Sequence, residues 1–299
     1  MDTIINPIEH DYDLDDGVYF LGGQSKNERA PVQNFHDFVF QAVKADNPHV
    51  YDVKDKDTCV RALYKEGYRY QLNEQQMEFD RGFHVDMPIY YSDTIKCPDL
   101  AHLKKGWTVS DPIEFIEWFE NKVNSKFDPL FLYERARYQD AYREWREQIY
   151  NEDKQVRRIV RYLKAWCDFI DDDMPCGIIL TILGANSYVG RNTDDVALRD
   201  TLISMKATLD AAFECRRPTT PKGEDILAGY DKKATFMSHL QNFMNAAIQA
   251  VNEPNQKRAC GKWQTQFGDR FSCLNAFDYD PNARTASTPA IITDNAKSS

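Results

Sequence analysis

The stretch Tyr12-Asp13-Leu14-Asp15-Asp16-Gly17-Val18-Tyr19-Phe20 decides the reading of this chain. Side chains two apart on a β-strand point to the same face, so a strand here places Asp13 and Asp15 together. Val18, Tyr19 and Phe20 are the β-branched and aromatic types that strands favour. A second strand-like run, Phe83-His84-Val85-Asp86-Met87-Pro88-Ile89-Tyr90, carries Asp86 among apolar neighbours. A carboxylate in such a setting is costly unless it is paired or metal-bound. Three aspartates converging from neighbouring strands supply the oxygen ligands that paired divalent cations take in phosphoryl and nucleotidyl transfer. Asp-x-Asp alone has a competing reading as a solvated turn, because acidic residues before glycine favour turns. Asp11 shares the parity of Asp13 and Asp15, and spacing does not separate it from them. Asp16 has the opposite parity and points away.

Three further features bear on the same chemistry. Arg61, in Thr58-Cys59-Val60-Arg61-Ala62-Leu63-Tyr64, is a cation on a third strand-like run. It suits either a phosphate or base edge in a cleft, or an ion pair to the carboxylates. Arg157, Arg161 and Lys164 fall at i, i+4 and i+7 on one helix face, opposite Val156, Ile159, Val160, Leu163, Trp166 and Ile170. That stripe is either a solvated face or a source of charge for a triphosphate. His84 shares the face of Asp86, and the favoured reading is a packed core histidine. No HxxxH, GxSxG or P-loop pattern occurs, so nucleophilic hydrolase chemistry has no support.

The whole chain bounds these readings. Its 299 residues are 42% hydrophobic and 13% aromatic, enough for a substantial core in one or two domains. No apolar run has the roughly 20 residues a membrane helix needs, and the N-terminus lacks a signal peptide's pattern. The net charge of −10 gives no global reason to grip a nucleic-acid backbone. Small anionic nucleotides carried with a divalent cation fit an acidic pocket. Seven cysteines, an odd number without a CxxC pair, suit a reduced cytoplasmic setting rather than a zinc site.

Along the chain, strands are expected near 12–20, 58–70 and 83–91, with Pro98 closing the α/β region. Between them, Val32, Phe35, Phe38, Val39 and Val43 predict a helix over 31–45. Ser110-Asp111-Pro112 marks a helix start, with an apolar stripe of Ile113, Ile116, Phe119 and Val123, widened by Phe115 and Trp118. Further helices are expected near 132–150, 153–170, 177–189, 194–215 and 232–252. Residues 281–299 read as a disordered tail. The fold class is therefore α+β, with an α/β part over 1–108 and a helical part over 109–280 enclosing a cleft.

Six runs, in order, resemble the CD-NTase (cGAS/DncV-like nucleotidyltransferase) family, in its bacterial cyclic GMP-AMP synthase group. Tyr12–Tyr19 resembles the metal-binding strand, His84–Tyr90 the strand with the third carboxylate, and Thr58–Arg61 the strand with a nucleotide-contacting arginine. Trp107–Phe119 is similar to the entry into the helical half. Arg161-Tyr162-Leu163-Lys164-Ala165-Trp166 resembles the helix with a phosphate-contacting lysine, and Gln266-Phe267-Gly268-Asp269-Arg270 resembles a late motif.

The resemblance implies a Pol-β-like nucleotidyltransferase core joined to an α-helical domain. It implies ATP and GTP, or other nucleoside triphosphates, as substrates for a cyclic dinucleotide made through a linear intermediate. Such a product serves as an anti-phage (CBASS) signal, with CBASS accessory proteins as partners. Asp13, Asp15 and Asp86 would then be catalytic and hold two Mg²⁺ ions, or Mn²⁺ in their place, while Arg61 and Lys164 bind nucleotide. The family also carries a Gly-Ser dipeptide and a long helix upstream of the Asp-x-Asp strand, so the chain reads as truncated at its N-terminal side. Pro175-Cys176-Gly177 stands where relatives tend to have serines, which bears on base choice. The alternatives are a linear, template-independent nucleotidyltransferase and a non-catalytic nucleotide- or partner-binding remnant.

Overall fold

The computed structural model describes Ile5 and residues 12–45, 48–64, 68–72, 75–79, 82–93, 96–125, 153–171 and 174–278. The strand Phe83–Ser92 (β7) is the axis of the α/β part. One edge of its first half pairs in parallel with Tyr12–Asp15 (β1), and the same edge of its second half with Val18–Leu21 (β2). The break between those two strands falls at Asp16 and Gly17, where the Asp16 amide still donates to the Asp86 carbonyl at 2.8 Å. A Cβ on Gly17 would meet the rings of Tyr19 at 3.0 Å and Tyr90 at 3.1 Å, so glycine suits that close approach.

On its other edge β7 pairs antiparallel with Cys59–Tyr64 (β4), which in turn pairs with Val50–Asp55 (β3). Asp99–His102 (β8) and Gly106–Val109 (β9) complete the sheet beyond Tyr90 and Tyr91. Tyr68–Leu72 (β5) and Gln75–Phe79 (β6) form a separate hairpin. The sheet thus continues past Pro98. The two extra strands have four residues each and turn at Gly106, with φ of 73°, which leaves too little alternation to read from sequence.

One face of the sheet packs on the helix Val32–Lys44 (α1). Val39, Val60, Ile89 and Ala101 form the buried centre, with Phe20, Phe35, Met87 and Trp107 against it. Phe38, expected in the apolar stripe, stands exposed and touches Phe20 edge-on.

The helical part comprises Pro112–Ser125 (α2), Gln155–Ile170 (α3), Gly177–Ser187 (α4), Asp194–Ala211 (α5), Lys233–Val251 (α6) and Gln256–Phe267 (α7). Asp111 caps α2, accepting from the Glu114 amide at 2.9 Å, as the Ser-Asp-Pro start predicts. Ile116 of the α2 stripe is exposed, whereas Phe115, Phe119 and Val123 are buried. The core centres on Trp166, fully buried and stacked on Phe243 with centroids 4.8 Å apart. Helix α7 was not anticipated, because its sequence is mostly polar and contains Gly261. Its start is nonetheless signalled by Asn255, whose side chain accepts from the Arg258 amide. Cys260 of α7 is bonded to Cys273 as a disulfide, which corrects the all-reduced expectation; Cys59, Cys167 and Cys215 are buried free thiols. The expected helix near 132–150 and the tail over 281–299 lie outside the described residues.

Candidate active site

Strand register builds the site. Asp13 lies opposite His84 and Asp15 opposite Asp86 across the parallel β1–β7 ladder. Arg61 lies opposite Asp86 across the antiparallel β4–β7 ladder. Facing residues share one side of a sheet. Asp13, Asp15, His84, Asp86, Arg61 and Cys59 therefore collect on the face away from α1, while Val60, Ala62 and Ile89 face the core. The shared face of Asp13 with Asp15, and of His84 with Asp86, follows the alternation read from sequence.

Arg61 grips Asp86 with a two-pronged ion pair. Its Nε donates to Oδ1 and a terminal nitrogen to Oδ2, both at 2.6 Å. Burial works against an ionised Asp86, but the Arg61 hydrogen bonds and charge outweigh it and hold the carboxyl below its usual range. Asp15 shifts the other way. The atoms packed around it raise its pKa, and the charges of Asp13 and Asp86 add to the effect. Cys59, two residues before Arg61 on the same face, is pushed up to about 12 by burial and by Asp86, so it stays a neutral thiol.

His84 is the residue that sequence reasoning undervalued. It is mostly enclosed, yet its Nε2 stands 3.0 Å from Asp13 Oδ1. Ligand atoms of Asp13, His84 and Asp86 all lie within 4.8 Å of one another, a spacing that one cation can span. Asp15 is not in that tight set. The His84 Nε2 atom is also out of reach of solvent and lacks an aligned hydrogen bond. An unsatisfied ring nitrogen beside two carboxylates, offering its lone pair, fits a divalent metal.

Lys164 projects from α3 as a half-buried side chain. Burial lowers its pKa, while the charge of Asp15 acts in the opposite sense. A Cβ on Gly177 would lie 3.4 Å from Lys164 Cε, so the first turn of α4 flanks the lysine. The other members of the basic stripe are engaged elsewhere: Arg157 with Glu120 and Arg161 with Asp153. Arg270, in the late run resembling the family motif, pairs with Asp168 on α3. That run therefore braces the lysine helix.

The site is thus a mixed sheet presenting paired aspartates on one face, with the half-buried Lys164 supplied by the helical part. Residues 1–90 match the family model of the cyclic GMP-AMP synthase DncV-like nucleotidyltransferase domain. Over those residues the chain is similar to DncV-like nucleotidyltransferases. The crystal structure of Escherichia coli DncV with bound 3'-deoxy GTP is similar in fold, with a TM-score of 0.65 at 16% identity over 90% of this chain and 67% of that one. Vibrio cholerae DncV bound to GTP gives 0.63 at 19% identity, over 91% and 66%. The V. cholerae DncV cyclic AMP-GMP synthase with the linear intermediate pppA(3',5')pG gives 0.61 at 18% identity, over 91% and 66%. The chain spans about two thirds of the length of these structures. Among the described residues, no helix is long and apolar enough to cross a membrane.

Proposed function

We propose that the protein joins ATP and GTP into a cyclic dinucleotide of the cyclic GMP-AMP type, through a linear intermediate and with release of pyrophosphate. The observation that carries this reading is the register that sets Asp15 beside Asp86, with Asp13 one position further along the same face. In this reading Asp13, Asp15 and Asp86 hold two Mg²⁺ ions. Bound there, the cations neutralise charge on the triphosphate and on the leaving pyrophosphate. Asp86 accepts the proton of the attacking ribose hydroxyl. Arg61 and Lys164 bind nucleotide, Lys164 from the helical side, so that the cleft between residues 1–108 and 109–280 orients the reacting groups.

The product would act in the cytoplasm as an anti-phage signal, with CBASS accessory proteins as partners. The ligand types carried by similar DncV structures, GTP and pppA(3',5')pG, support the substrate class. A second reading, a non-catalytic nucleotide-binding module, is favoured by one observation: Arg61 engages both oxygens of Asp86. Each of those oxygens keeps a further lone pair, so the pair and a metal are compatible. Calorimetric titration with ATP decides between the two. The enzyme reading requires binding that depends on Mg²⁺ and is lost in Asp13→Asn, whereas equal binding without metal supports the module.

A further inference from the structure

We propose that His84 is itself a metal ligand, bonding one of the divalent cations through Nε2 beside Asp13 and Asp86; this rests on the metal-dependent reading given above. Three observations carry it. The Nε2 atom is withdrawn from solvent and has no aligned hydrogen bond, a costly condition for a polar ring atom unless something else satisfies it. It nonetheless stands 3.0 Å from Asp13 Oδ1. Two ligand atoms on adjacent corners of an octahedron, each about 2.1 Å from the ion, lie about 3.0 Å apart. A contact of hydrogen-bond length without hydrogen-bond alignment is what two ligands of one cation make. Finally, strand register rather than a flexible loop sets the position: His84 faces Asp13 across the ladder and sits two residues before Asp86.

An all-aspartate site takes hard ions by charge alone. An imidazole in the set adds a nitrogen donor, which favours transition metals over Mg²⁺. The site would then discriminate among cations by ligand type, with His84 tuning that choice.

The test uses Mn²⁺ as a paramagnetic probe on the whole protein, in the absence of nucleotide. Electron spin-echo envelope modulation of bound Mn²⁺ is expected to show nitrogen coupling. The coupling should change to the ¹⁵N pattern in protein carrying ¹⁵N-labelled histidine. In His84→Gln and His84→Asn, with folding checked by circular dichroism, it should vanish while the Mn²⁺ dissociation constant rises about tenfold or more. Bound Mn²⁺ without nitrogen coupling would overturn the assignment and leave the carboxylate metal site standing. Coupling that persists in a folded His84 variant would overturn it too. Absence of any bound Mn²⁺ would remove both the assignment and the metal-dependent reading beneath it.

Discussion

Arg61 holds Asp86 by both carboxylate oxygens, across a ladder that places the two residues directly opposite each other. The pair lies on a face that also carries Asp13 and Asp15, and the Arg61 charge acts on Asp15 as well as Asp86. Replacing it exposes their mutual repulsion. Arg61→Gln should destabilise the metal-free protein by on the order of 2 kcal/mol, less than for a fully buried pair because Arg61 is partly exposed. Added Mn²⁺ should recover more stability in the variant than in the parent. Thermal unfolding with and without Mn²⁺ measures both effects, and an unchanged melting temperature would show that the pair does not carry this role.

In the proposed function, Lys164 keeps a nucleotide-binding charge against stability. Burial lowers its pKa, so keeping it charged costs the folded state. Lys164→Met should fold at least as stably as the parent, by up to about 1 kcal/mol. It should also bind nucleoside triphosphate about tenfold more weakly, the value of one charge-assisted hydrogen bond. Urea unfolding and calorimetry on the same preparation separate the two effects.

Gly268 closes α7 with a φ of 63°, and a Cβ there would lie 2.6 Å from the Phe169 ring. Gly268→Ala therefore meets both an unfavourable backbone region and a collision with α3. A loss of about 2–4 kcal/mol is expected in urea unfolding. Because Phe169 and Asp168 belong to the lysine helix, weaker nucleotide binding should accompany it.

Acid stability should report Asp194. Burial disfavours its charge, but Arg158 at 2.8 and 2.9 Å, together with Gln155 and Tyr162, outweighs that and lowers its pKa. A carboxylate depressed in the folded state stabilises above its unfolded value, and that contribution is lost as pH falls through the lower folded value. Asp194→Asn should thus cost about 2 kcal/mol at neutral pH. The gap between parent and variant should narrow as the pH drops below 3.8, the ordinary aspartate value. Urea titrations at pH 7 and in the acid range provide the comparison.

The parts legible in the sequence were those written in side-chain period. Period-two placement of Asp13 and Asp15, and apolar alternation around Asp86, give the shared face that strand register provides. The stripe of Val156, Ile159, Val160, Leu163 and Trp166 gives the buried side of α3. Other features depend on partners distant in sequence. Nothing local says that β1 runs parallel to β7, which alone brings His84 beside Asp13. The engagement of Arg157 by Glu120 likewise needs two helices to meet. Strands β8 and β9 were too short to show a period, and α7 was too polar. The Cys260–Cys273 bond was hidden in an odd cysteine count.

In the proposed function the aspartate face catalyses nucleotide cyclisation. The most direct measurement incubates the protein expressed from its whole gene with labelled ATP, GTP and Mg²⁺, and then treats the products with phosphatase. A phosphatase-resistant cyclic dinucleotide is expected from the parent, with at least about 10³-fold less from a folded Asp86→Asn variant. Phosphatase-sensitive linear products alone, or equal product from parent and variant, would contradict it.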